Sequence, residues 1–251
     1  PPRGRVGRPP PAGRRWAPLR GGLRVGLNCL RVSGAGACSR APAGPAEGPL
    51  AGDRLELEVI LDDGRRLASE AAVPGDFRVV GVEGGVCALP ARAAMELRWT
   101  RSQGAWAYFV EALVSGLPPH FDVEVDDPLH LLGLAVSDAD TSLVFPREAG
   151  VFARAELARP VALYLQEGLP PGASAALTVT AADRNWLNWA RGGSFNPSGQ
   201  VRVPSVRGEG GTGVFGAAIV RRFGVVTRPV DEPSSYSPCP RPSPSPTPLQ
   251  P

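Results

Sequence analysis

Charged side chains alternate with apolar ones along one short stretch in the middle of the chain. The charged positions are His120, Asp122, Glu124 and Asp126. A spacing of two places all four on one face of a strand, which is typical of the solvated side of an amphipathic strand. A calcium site is the alternative, because hard cations need several oxygen ligands that converge from loops. Its ligands would be Asp126, Asp127, Asp138 and Asp140, although the pattern Asp-x-Asp-x-Asp-Gly is absent.

The sequence lacks the familiar catalytic motifs. The patterns Gly-x-Ser-x-Gly and His-Glu-x-x-His are absent. Residues 211–216 match the dinucleotide pattern Gly-x-Gly-x-x-Gly, but that pattern binds a pyrophosphate only where it joins a strand to a helix. Here the β-branched runs 219–220 and 225–227 follow, which indicates a glycine-rich loop that enters a hairpin. We therefore predict no catalytic residue, no cofactor and, apart from the calcium alternative, no metal ligand.

Five aromatic side chains could stack on sugar rings or pack in a core. They are Trp99, Trp106, Tyr108, Trp186 and Trp189. Trp99 alternates with Leu97 on an otherwise charged strand, so we expect Trp99 to be buried.

Residues 183–191 are the strongest helix candidate, and an aspartate stands at the capping position. Trp186 and Trp189 are three residues apart and would share one face of this helix. They either pack between sheets or form an exposed ligand platform. In the glycine-rich connection that follows, Phe195 either anchors the loop or contacts a partner.

The four cysteines are widely separated and are accompanied by only two histidines. They are Cys29, Cys38, Cys87 and Cys239. Zinc needs ligands at close spacing, and two of the cysteines lie in low-complexity ends, so neither a zinc site nor a disulfide framework is expected. The small residues before Cys38 resemble the box that precedes the lipidated cysteine of bacterial lipoproteins. The alternative is that Cys38 belongs to an unstructured arm.

Charge is distributed unevenly along the 251 residues. Residues 1–50 contain nine arginines and one glutamate, a net charge of +8, whereas residues 51–251 contain 18 arginines and 23 acidic residues, a net charge of −5. A basic pI would suggest nucleic acid, but the part with regular patterning is mildly acidic. We expect no nucleic-acid partner.

Short alternating runs separated by turn residues predict an all-β sandwich or barrel. The predicted strands are 55–61, 66–73, 77–82, 96–100, 105–115, 120–125, 131–136, 142–145, 151–155, 161–166 and 176–181, with a last hairpin at 214–227. Composition predicts a disordered leader or linker at 1–50 and a disordered Pro/Ser tail at 231–251. Between them we place a partial small β-domain, 51–90, and a β-sandwich, 91–230.

Several sequence elements resemble an uncharacterised family of bacterial cell-envelope proteins, often lipoproteins. The elements are Ala51-Gly52-Asp53, Asp63-Gly64, Val73-Pro74-Gly75, Leu97-Arg98-Trp99 with Gly104-Ala105 and Tyr108, Ala181-Ala182-Asp183-Arg184-Asn185-Trp186, and Gly211-Thr212-Gly213-Val214-Phe215-Gly216. The resemblance covers about residues 51–228. It implies a transthyretin-like β-domain followed by a fibronectin-like or immunoglobulin-like one, and an extracytoplasmic location in the outer membrane or periplasm.

The favoured functional hypothesis is a non-catalytic envelope module that binds or scaffolds a protein partner. The resemblance suggests an outer-membrane transport receptor as that partner, and a membrane contact only through a lipid anchor. A glycan-binding module that uses Trp186, Trp189 or Phe195 is the alternative. An enzyme of unknown type ranks third.

Overall fold

The computed structural model describes residues 3–8, 15–22, 38–40, 48–82, 84–118, 125–135, 140–148, 158–191, 203–229 and 234–242. The chain forms two compact units. Unit 1 comprises Pro1–Gly75 and Ala182–Ala218, and unit 2 comprises Asp76–Ala181 and Ile219–Pro251. The predicted division near residue 90 differs from this one, because each unit is built from two separate stretches of the chain.

The described residues form fourteen strands and two short helices. In chain order they are β1 (Arg3–Arg8), β2 (Arg15–Gly22), β3 (Cys38–Arg40), β4 (Arg54–Ile60), β5 (Arg66–Ala72), β6 (Val79–Val80), β7 (Val86–Pro90), β8 (Met95–Trp99), β9 (Ala107–Ser115), β10 (Leu129–Ala135), β11 (Ser142–Phe145), α1 (Arg159–Gln166), β12 (Ser174–Ala182), α2 (Arg184–Arg191), β13 (Arg207–Gly208) and β14 (Ala218–Arg228). The predicted all-β, sandwich-like class is confirmed. Within the described ranges, neither helix is long and apolar enough to cross a membrane.

Unit 1 contains one six-stranded sheet with the order β13-β5-β4-β1-β2-β3. The prediction for residues 1–50 missed β1, β2 and β3. β1 pairs antiparallel with β4 and places Arg5 opposite Glu58. The acidic β4 therefore has an arginine-bearing strand as its neighbour, which composition alone did not reveal.

The hairpin of β4 and β5 follows from local sequence, as predicted. Apolar and charged residues alternate along β4, and the two strands pair antiparallel from Arg54 with Ala72 to Ile60 with Arg66. Gly64 adopts a φ of 87° in the connecting turn, a value that a residue without a Cβ adopts at little cost. The backbone N–H of Leu61 donates to the carbonyl of Arg65 and closes this turn.

Unit 2 consists of two sheets around one core. The five-stranded sheet has the order β10-β9-β12-β14-β7, and the three-stranded sheet has the order β11-β8-β6. Buried side chains from both sheets form a single cluster, among them Leu97, Trp99 and Phe145 from one and Tyr108, Val110 and Leu177 from the other. The predicted burial of Trp99 is confirmed, since only 3% of this residue is exposed.

Two predictions for the second half of the chain are wrong. Residues 161–166 lie in helix α1 and not in a strand, because a proline occupies the first turn and Val161 and Leu165, four residues apart, share the buried side. The predicted last hairpin is a loop followed by the single strand β14, which pairs in parallel with the unpredicted strand β7. The predicted strands 120–125 and 151–155 fall almost entirely outside the described residues.

The C-terminal segment corrects the predictions for the tail and for the cysteines. Cys87 and Cys239 form a disulfide, with 4.9 Å between their Cα atoms. The backbone N–H of Ala88 donates to the carbonyl of Ser237, and the N–H of Cys239 donates to the carbonyl of Ala88. Part of the Pro/Ser tail is therefore attached to β7, through a cysteine whose partner lies 152 residues away in the sequence.

Candidate functional site

Helix α2 begins at a cap that the sequence predicted. The backbone N–H of Trp186 donates to Oδ1 of Asp183 over 2.9 Å. The N–H of Leu187 donates to the carbonyl oxygen of Asp183. A carboxylate at this position accepts one of the N–H groups that have no partner inside the helix, and its charge favours the positive end of the helix dipole.

Asp183 lies close to backbone N–H groups from several parts of unit 1. Those of Trp186, Ala217, Ala72 and Asn185 each act to lower its pKa, and that of Trp186 is hydrogen-bonded to it. The backbone N–H of Asp183 in turn donates to the carbonyl of Ala217 over 3.0 Å. Because Asp183 is only 3% exposed, the N–H of Trp186 replaces part of its lost hydration.

Asn185 makes a second connection from the same turn. Its Nδ2 donates to the carbonyl of Glu70 over 2.6 Å and to the carbonyl of Phe215 over 2.9 Å. Strand β13 pairs with β5 at Leu67 and Ala68. Beyond that point the side chain of Asn185 satisfies the carbonyl of Glu70 in β5 in place of a strand.

Ser205 adds further hydrogen bonds to Phe215 and to β5. Its Oγ lies 2.8 Å from the backbone nitrogen of Phe215, which donates to it, and 3.0 Å from the carbonyl of the same residue. The Oγ of Ser69 donates to the carbonyl of Ser205. We call Asp183, Asn185, Ser205, Phe215 and Gly216 the clasp.

Gly216 lies so close to its neighbours in the clasp that a side chain at this position would not fit. A Cβ built on it would lie 3.1 Å from Oδ1 of Asp183 and 3.2 Å from the backbone nitrogen of Trp186. The segment 211–217 has no helix after it and leads into β14. The interpretation of Gly-x-Gly-x-x-Gly as a loop, and not as a dinucleotide site, therefore agrees with the fold.

Burial raises the pKa of Asp183 above its ordinary value of 3.8, and the nearby backbone N–H groups, that of Trp186 foremost, offset only part of that effect. Its Oδ1 already accepts the N–H of Trp186. This is the arrangement of a structural cap and not of a general base that approaches a substrate.

Stability should depend on pH through this group. Because the folded-state pKa of Asp183 lies above 3.8, its contribution to the free energy of unfolding is complete below pH 3.8 and is lost as the pH rises through the folded-state value. Asp183→Asn removes the titration. We expect the stability difference, wild type minus variant, to fall across that window in urea titrations; a difference that is flat or rises with pH would contradict this assignment.

The clasp presents two aromatic rings outside the core of unit 1. Trp186 is 44% and Trp189 is 39% exposed, while Leu187 between them is 2% exposed. Residues three apart lie on neighbouring positions of a helix face. Of the two interpretations of this pair, the structure favours an accessible surface over full burial between sheets.

A polar groove of about 320 Å³ lies beside the clasp. It is lined by Glu70, Arg184, Asn185, Asn188, Val203, Pro204, Ser205 and Arg207. Neither Trp186 nor Trp189 lines it. The aromatic surface and the groove are thus separate features, and a tryptophan-lined sugar groove is not what the described residues form.

The other candidate residues from the sequence are not brought together. Asp126, Asp127 and Asp140 are exposed, and the described residues contain no group of three or more possible metal ligands. His120, Asp122, Glu124, Asp138 and Phe195 lie outside the described residues. Cys38 is the first residue of β3, and its side chain is also outside them.

Sequence reasoning missed Asn185 and Ser205 as parts of the clasp. Of these two residues, only Asn185, the second residue of α2, could have been noticed from the sequence. Asparagine is a poor helix former and hydrogen-bonds to nearby backbone groups. Two of the sequence elements that carry the resemblance, 181–186 and 211–216, meet in the clasp through Asp183, Asn185, Phe215 and Gly216. No family model, curated protein or solved structure matches this chain.

Proposed function

We propose that this chain is an exported, non-catalytic binding module and that helix α2 of unit 1 contacts a protein partner. The single observation that carries the proposal is the pair of half-exposed indoles, Trp186 and Trp189, on a helix whose start is fixed by the clasp. Tryptophan is enriched among the residues that dominate binding energy at protein interfaces. Because the helix is already held in place, its side chains and backbone lose little further conformational entropy when a partner binds.

A protein partner fits this surface better than a glycan does. Sugar sites combine an aromatic platform with polar groups that converge on the same ring. Here neither indole lines the polar groove beside the clasp. Two neighbouring rings on the convex side of a helix suit a hydrophobic pocket on another protein.

The disulfide supports the export part of the proposal. Disulfides such as Cys87–Cys239 persist mainly in oxidising compartments. A cell-envelope location, an outer-membrane transport receptor as partner and a lipid anchor at Cys38 come from the resemblance and belong to this proposal.

A photo-crosslinking amino acid placed at position 186 or 189 tests the surface in the native host. We expect a discrete adduct that protease digestion removes. Trp106, which is 49% exposed in unit 2, provides the matched control position and should give no such adduct. An adduct resistant to protease and sensitive to glycosidases would replace the protein partner with a glycan, and an identical pattern at position 106 would reject the surface.

Alanine substitution then measures the contribution of each ring. Trp186→Ala and Trp189→Ala should each weaken binding of the crosslinked partner by about 2 kcal/mol, roughly 30-fold. The free energy of unfolding should change by less than about 1 kcal/mol for rings this exposed. Unchanged affinity in both variants would contradict the proposed contact.

A further inference from the structure

Residues 236–241, which we call the strap, are held against β7 although their composition disfavours order. The segment reads Tyr-Ser-Pro-Cys-Pro-Arg. Two hydrogen bonds join it to β7, both through Ala88, and the backbone N–H of Glu96 in β8 donates to the carbonyl of Pro240 over 3.1 Å. The strap thus contacts both sheets of unit 2.

The strap covers the edge of a sheet. β7 is the last strand of the five-stranded sheet, and Pro238 forms a parallel bridge with Ala88 on the outer side. Prolines lack the N–H that a further strand would need. The two prolines therefore end the sheet at this edge, a common way to prevent strand addition.

Apart from the disulfide, the strap is held by backbone hydrogen bonds and by Pro240, whose Cγ would lie 2.7 Å from a Cβ placed on Gly81. Of its residues, Cys239 is buried, Pro240 is partly buried, and Tyr236, Ser237, Pro238 and Arg241 are exposed. Three backbone hydrogen bonds offset only part of the conformational entropy lost when six residues are ordered. Cys87 and Cys239, 1% and 5% exposed, supply the covalent bond that makes up the difference.

We propose that the strap is redox-conditional: it closes the edge of β7 only while Cys87 and Cys239 are joined, and it detaches when they are reduced. A dithiol reductant supplies two electrons and two protons, becomes a cyclic disulfide itself and leaves two thiols on the protein. The edge of β7 is then open in a reducing compartment and closed in an oxidising one. This inference does not depend on the partner proposed for α2.

Hydrogen exchange of the full chain tests the proposal with dithiothreitol as the reductant. We expect the amides of Ala88, Glu96 and Cys239 to exchange at least about 100-fold faster after reduction, while amides of the central strand β9 keep their protection. The variant Cys87→Ala/Cys239→Ala should show the same pattern without reductant. Dithiothreitol should not change it further, which separates the effect from any at Cys29 and Cys38.

Two outcomes would overturn the proposal. If Ala88 and Glu96 stay protected in the double variant, the strap holds without the disulfide. If β9 loses protection together with them, the bond stabilises the whole of unit 2 and is no local switch. The ratio of exchange rates between Ala88 and Val110 of β9 distinguishes these outcomes within one sample.

Discussion

Asp183→Ala is expected to lower the stability of unit 1 by about 1–3 kcal/mol, because it leaves the N–H of Trp186 without its acceptor at the start of helix α2. Oδ1 of Asp183 accepts this N–H over 2.9 Å. A methyl group cannot replace the bond. Water would have to enter a site in which Asp183 itself is only 3% exposed.

Urea denaturation followed by hydrogen exchange separates the two units in this experiment. Peptides from β4 and β5 should lose protection at lower urea in the variant, and peptides from β9 in unit 2 should keep their own midpoint. Asp140→Ala, an exposed aspartate in the described part of unit 2, is the matched control and should change stability by less than about 0.5 kcal/mol. A loss below about 1 kcal/mol for Asp183→Ala would mean that the clasp contributes little.

Elements fixed by neighbouring residues could be predicted from the sequence. The alternation along β4 and the Asp-Asp-Gly turn place the first hairpin correctly, because strand period and turn chemistry act within a few residues. Helix α2 could be placed for the same reason, since Asp183 caps it three residues before Trp186.

Features that join distant residues could not be predicted in this way. The clasp brings together positions near 70, 185 and 215, and no local pattern indicates that the one amide of Asn185 will bond to both Glu70 and Phe215. Unit 1 likewise depends on the return of residues 182–218 to strands formed before residue 76. Such pairings are decided by tertiary packing, which a single sequence does not display.

Composition misled the prediction for the C-terminal tail for an identifiable reason. Serine and proline disfavour an ordered segment. For residues 236–241 this argument takes account of the noncovalent contacts alone. The bond between Cys87 and Cys239 adds a constraint that composition cannot represent. Because Cys239 lies in a low-complexity end, no disulfide framework was expected, and its partner Cys87 in β7 was missed.

Trp99→Ala is expected to destabilise unit 2 by about 3–5 kcal/mol, the range for removing a large buried aromatic side chain. The indole is 3% exposed, and its centroid lies 5.4 Å from the ring of Tyr108. The hydroxyl of Tyr108 accepts a hydrogen bond from the backbone N–H of Ser102 over 2.7 Å. Loss of Trp99 would thus remove apolar contacts. It would also loosen the ring of Tyr108, whose hydroxyl holds the backbone at Ser102.

Thermal and urea unfolding of unit 2, monitored through exchange of β9 amides, measure the effect. Trp106→Ala is the matched control, since that indole is 49% exposed and its removal should lower stability by less than about 1 kcal/mol. Trp99→Phe should fall between the two, because the indole N–H of Trp99 has no acceptor among the described residues and its deletion leaves no new unpaired group. Equal losses for Trp99→Ala and Trp106→Ala would show that the ring of Trp99 does not fill the space between the sheets.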